Sequence, residues 1–116
     1  MLKIAIVGSR TFNDYELFKK YLTEYIDNIQ EYSIVSGGAI GTDTMAKKFA
    51  IENNKEILEI LPDWKKHGKI AGILRNTDII KAADIVIAFI KDNSAGTRDS
   101  IEKAKKMNKT LKVYNL

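Results

Sequence analysis

Apolar residues along this chain switch back and forth between two spacings, and that alternation limits the folds open to it. Leu2 to Val7 is a near-continuous apolar run broken by Lys3, as expected of a strand buried on both faces. Leu17, Phe18, Tyr21, Leu22, Tyr25, Ile26 and Ile29 then recur at helical spacing. Tyr32 to Ser36 is predicted as a second strand, with Met45, Ala46, Phe49 and Ala50 as the inner face of a second helix. Glu56 to Leu61 reads as a short third strand closed by Pro62. Ile70, Ile73, Leu74 and Thr77 suggest a third helix reaching about Ala82. Asp84 to Ile90 is the strongest strand pattern, Ile101, Ala104 and Met107 mark a fourth helix, and Thr110 to Tyr114 closes the chain as a strand.

This order predicts a single α/β domain over residues 1–116, a Rossmann-like, doubly wound parallel sheet of about five strands with helices on both faces. Strand order 3-2-1-4-5 is favoured, and 2-1-3-4-5 is the alternative. The absence of cysteine removes disulfides, thiolate metal sites and cysteine nucleophiles, and the single histidine, His67, removes histidine-cluster metal sites. No metal or cofactor is expected. No apolar run approaches the roughly 20 residues of a membrane span, and no charged-then-apolar leader precedes the first strand, so a cytoplasmic protein is expected.

In such a sheet every strand-to-helix loop lies on one edge, where ligands bind. Ser36-Gly37-Gly38-Ala39-Ile40-Gly41-Thr42-Asp43 joins the second strand to a helix through three glycines in five positions. A helix start of this kind suits a phosphate, with Ser36 or Thr42 as hydroxyl donors and Asp43 as a ribose partner. A tight turn capped by Thr42 or Asp43 would look the same. Ser94, Gly96 and Thr97 form a second glycine-hydroxyl turn before a helix, or an ordinary capped loop. Gly8-Ser9-Arg10 sets a guanidinium just past the first strand, suited to phosphate or to a surface ion pair. Arg75-Asn76 interrupts an apolar helix, and Trp64 follows Pro62 in the third loop, where it would stack on a base or cover the core.

These residues resemble the SLOG superfamily, the Rossmann-like domains that include LOG phosphoribohydrolases and the Smf/DprA proteins, and within it the stand-alone, YspA-like (cpYpsA-related) branch. The resemblance runs through Gly8-Ser9-Arg10-x-Phe12, Val35-Ser36-Gly37-Gly38-Ala39-x-Gly41-x-Asp43, Pro62-x-Trp64, Ala71-Gly72-x-x-Arg75-Asn76, Ala83-Asp84 and Ser94-x-Gly96-Thr97. It implies a nucleotide or nucleotide-derived ligand, a metal-independent site and self-association into a dimer or larger homo-oligomer. LOG enzymes carry a glutamate where this chain has Ser100, with Asp99 adjacent. A hydroxyl cannot stabilise an oxocarbenium or activate water as a carboxylate does.

The leading expectation is therefore a sensor or sequestering module for a nucleotide-type ligand. Gly37, Gly38, Gly41 and Gly96 would admit phosphates, Ser9, Arg10, Thr42 and Thr97 would donate to them, Arg75 or Trp64 would meet the base side, and Gly8 and Asn76 are further ligand-binding candidates. An N-glycosidic-bond hydrolase, using Asp43 or Asp99 as carboxylate and Arg75 as partner, is one alternative, and a single-stranded nucleic-acid binder resembling the Smf/DprA line is the other. The net charge of +4 is modest, and no basic, aromatic-interleaved stretch stands out, so nucleic acid is not expected as a partner.

Overall fold

A computed structural model describes residues 1–116. Five strands, β1 (Leu2–Gly8), β2 (Tyr32–Ser36), β3 (Ile57–Glu59), β4 (Ile85–Ile90) and β5 (Thr110–Asn115), form one parallel sheet in the order β3-β2-β1-β4-β5. That is the favoured order, 3-2-1-4-5. The two longest apolar runs, β1 and β4, pair with each other at the centre, with Ile4 opposite Ile85 and Ile6 opposite Ile87.

Helices α1 (Tyr15–Ile26) and α2 (Thr42–Glu52) cover one face, and α4 (Ala71–Ala82) and α5 (Ala95–Lys106) the other. Alternation along each central strand divides the core between them. Ile4, Ile6, Ile87 and Phe89 point to the α1/α2 side, where they meet Phe12, Phe18, Leu22 and Phe49. Ala5, Val7, Val86 and Ala88 point to the α4/α5 side, where they meet Ile79, Ile80, Ile101 and Ala104. The first face is filled by aromatic rings, with Phe18 and Phe89 centroids 4.9 Å apart. The second is built of small side chains, which let α4 and α5 lie close to the sheet.

Three boundaries depart from the periodicity. β3 spans three residues, not Glu56 to Leu61, because it is an edge strand whose Leu58 is 54% exposed. α1 stops at Ile26, short of Ile29. Between β3 and α4 the chain forms α3 (Trp64–His67) and a 3-10 turn (Gly68–Ile70), where the sequence showed a loop. Asp63 caps α3 by accepting the Lys66 amide at 3.1 Å. No helix is long and apolar enough to cross a membrane.

Candidate functional site

The carboxyl edge of the sheet holds a cleft of about 360 Å³ between the ends of β1 and β4 and the helices α2, α4 and α5. Val7, Gly8, Ser9, Arg10 and Thr11 form its floor and one rim. Ala39 and Asp43 come from the β2–α2 turn, and Arg75, Asn76 and Ile79 come from α4. Lys91, Asp92, Ser94, Gly96, Thr97 and Ser100 come from the β4–α5 loop and the start of α5.

Ser9 ties this edge together. Its Oγ donates to the Lys91 carbonyl at 2.9 Å and accepts the Lys91 amide at 2.8 Å. Its own carbonyl accepts Thr42 Oγ1 at 2.9 Å and the Thr42 amide at 3.3 Å. Ser9 and Thr42 are both buried, so their hydroxyls hold three loops in register and are not free donors.

The β2–α2 turn closes on the chain's own atoms. Gly41, at φ +75°, sits where any Cβ would overlap the Arg10 backbone. A Cβ on Gly37 would lie 2.6 Å from Arg75 Nη1, and one on Gly38 would meet Leu61 and Glu59. Within the turn, the Ala39 amide donates to Asp43 Oδ2 at 3.0 Å. The carboxylate beside this glycine loop is thus supplied from within. Arg75 reaches across from α4 and donates from Nη1 to the Gly37 carbonyl at 2.7 Å.

Burial pushes the Asp43 carboxyl up from its usual range, against the pull of the Ala39 amide and the Arg75 charge. Burial likewise lowers Arg75, and Asp43 partly restores it. Ser36 Oγ is buried and has no hydrogen-bond partner of its own.

The start of α5 is arranged differently. Ser94 caps it, accepting Thr97 Oγ1 at 3.1 Å and the Thr97 amide at 3.4 Å. A Cβ on Gly96 would meet nothing within 4 Å, so this turn is not filled by the molecule's own atoms, and Gly96 lines the cleft together with Arg10 and Lys91. Asp92 and Asn93, both left-handed at φ 56° and 52°, make the bend that brings this loop over the cleft.

Of the residues singled out from the sequence, Gly8, Ser9, Arg10, Asp43, Arg75, Asn76, Ser94, Gly96 and Thr97 line the cleft. Ser36, Gly37, Gly38, Gly41 and Thr42 lie behind or beside it, packed on the molecule's own atoms. Asp99 is outside the lining, accepting from Asn76 Nδ2 at 3.2 Å and paired with Lys103 Nζ at 2.7 Å. Trp64 is also outside it, 54% exposed. Lys91, Asp92 and Thr11 were not singled out, although their place directly after strand ends was a usable signal. Ser100, noted only as the replacement for a glutamate, lines the cleft.

The fold is shared with solved structures at low identity. DNA processing protein A from Streptococcus pneumoniae superposes with a TM-score of 0.78 at 22% identity, over 97% of this chain and 50% of that one. The Helicobacter pylori protein of the same name, described for its single-stranded DNA binding mode, gives 0.73 at 22% identity, over 97% of this chain and 64% of that one. TM1055 gives 0.71 at 19% identity, over 96% and 72%. These likenesses correct the expectation that nucleic acid is no partner for such a chain. The same framework serves in a protein that binds single-stranded DNA, and a small overall charge is an average that hides local patches. In sequence, the chain is 34% identical over 114 residues to the gene 61 protein of Mycobacterium phage D29, covering 91% of this chain and 90% of that protein. A family model matches residues 2–67, which include β1, the β2–α2 glycine turn and Trp64. On these grounds the chain belongs to the YspA, cpYpsA-related SLOG family.

Proposed function

We propose that the cleft binds a nucleotide-type, phosphorylated ligand, with the phosphate at the start of α5 and the sugar toward Asp43. The observation that carries this reading is the open first turn of α5 at Gly96, facing the same cavity as Arg10 and Lys91. Helix amides and two cations together favour a dianion. Asp43, an acceptor at the far side of the cavity, matches a ribose hydroxyl. The volume lies at the small end of the roughly 300–1,000 Å³ typical of ligand sites, the size of a mononucleotide rather than a dinucleotide.

Thermal melting with nucleoside monophosphates, diphosphates and inorganic phosphate tests this. A ligand at about 100 times its Kd adds about 2.7 kcal/mol of stability, and Arg10→Ala or Lys91→Ala should each weaken it about ten-fold, the loss of one charge-assisted hydrogen bond. A melting temperature unmoved by every nucleotide at millimolar concentration defeats the proposal.

Asp43 favours a second reading. A buried carboxyl with a raised pKa at the cleft wall is the kind of group that serves as an acid or base in N-glycosidic cleavage. Release of free base from a bound monophosphate, abolished by Asp43→Asn, separates turnover from simple binding.

A further inference from the structure

Trp64 is a candidate residue whose side chain neither lines the cleft nor is buried. It opens α3, on the ligand edge, with its indole 54% exposed. Its Cη2 lies 3.7 Å from the place a Cβ on Gly72 would occupy, which sets that edge of the ring near α4. The only tryptophan thus keeps more than half of its surface open to solvent.

The stretch that follows it in the chain is basic. Lys65, Lys66 and Lys69 are exposed. None is engaged in an ion pair, since the four pairs of the molecule join Lys19 to Glu16, Lys47 to Glu59, Lys103 to Asp99 and Lys105 to Glu102. Asp63 is the only carboxylate beside this stretch, and it is held by the Lys66 amide as the helix cap. Three cations without an ion-pair partner and an exposed ring thus fall within six consecutive residues.

We propose that Trp64 with Lys65, Lys66 and Lys69 is a binding surface for single-stranded nucleic acid. An unpaired base stacks on the indole, and the phosphates on either side of it are neutralised by the lysines. A single strand is indicated over a duplex for two reasons. Paired bases offer no free face to a side chain, and α3, at four residues, is too short to read a groove. The inference does not depend on what the cleft holds.

The lone tryptophan makes the test direct, because all indole emission comes from this surface. Titration with dT12 or U12 at about 50 mM salt should quench it and raise the anisotropy of a labelled strand. Trp64→Ala should weaken binding about ten-fold or more, and Trp64→Phe, which keeps a stacking ring, should retain most of the affinity. Changing all three lysines to glutamine should flatten the slope of log K against log salt by about two. The proposal is overturned if neither strand quenches the indole, or if binding survives Trp64→Ala and the lysine changes. A duplex that binds as well as dT12 also overturns it. So does a response confined to phosphatidylserine vesicles, which would mark a membrane-facing patch.

Discussion

The two glycine turns at the carboxyl edge look alike in sequence and do opposite work. In the β2–α2 turn the missing side chains make room for the protein itself: Gly41 for the Arg10 backbone, Gly37 for the Arg75 guanidinium, Gly38 for Leu61. In the β4–α5 turn the space at Gly96 is empty. A glycine-rich helix start is thus two different objects. One is a joint, in which the first-turn acid Asp43 takes the Ala39 amide. The other is left open, with Gly96 on the cleft wall and Ser94 capping the Thr97 amide.

Substitution at the glycines separates the two most sharply. Gly41→Ala should cost about 3–4 kcal/mol, combining a left-handed backbone with overlap on Arg10. Gly96→Ala should stabilise the fold by about 0.5–1 kcal/mol, because alanine suits a helix better. Urea midpoints for the pair measure this, and equal losses would erase the distinction. Gly37→Ala comes next, at about 2 kcal/mol, since a methyl there must displace Arg75 from the Gly37 carbonyl. It should also leave the affinity for free phosphate unchanged, whereas a true phosphate loop would lose binding.

Asp43 offers a pH test of the joint. Its folded pKa is raised above the ordinary 3.8, so the native state holds a proton that the unfolded chain releases. Its contribution is fully present below pH 3.8 and is lost as pH rises through the raised value. Other carboxylates can trend differently, so the measurement is the stability difference between the natural protein and Asp43→Asn across that window. A difference that is flat in pH would show that Asp43 titrates as it does in the unfolded chain. The smallest effect is expected at Ser36→Ala, within about 0.5 kcal/mol, because the buried hydroxyl removed has no partner to lose.

The layout of the sheet was legible because β1 and β4 are continuous apolar runs that demand a neighbour on each side. β3, short and carrying an exposed Leu58, belongs at an edge. α3 was not legible. Four residues carry no helical period, and the capping by Asp63 is a contact only coordinates reveal. In the site, the rule that strand ends gather on one edge brought Arg10, Arg75 and the Ser94–Thr97 turn to one cavity. It could not tell which glycines face a ligand. Their neighbours, Arg10, Leu61 and Arg75, lie far away in the chain, and nothing in a local motif names them. The lysines that follow Trp64 were visible in the chain, but their significance depends on the ring being exposed, which the sequence left open.

Ser9 has a consequence for how such a cleft can change. Because one small residue bolts the β1, β2 and β4 loop bases to each other, preference for a new ligand is open to drift only in the outward side chains mounted on that bolt. Arg10, Lys91 and Asp92 can be exchanged like interchangeable tool heads, while Ser9 and Thr42 form the chuck and must stay.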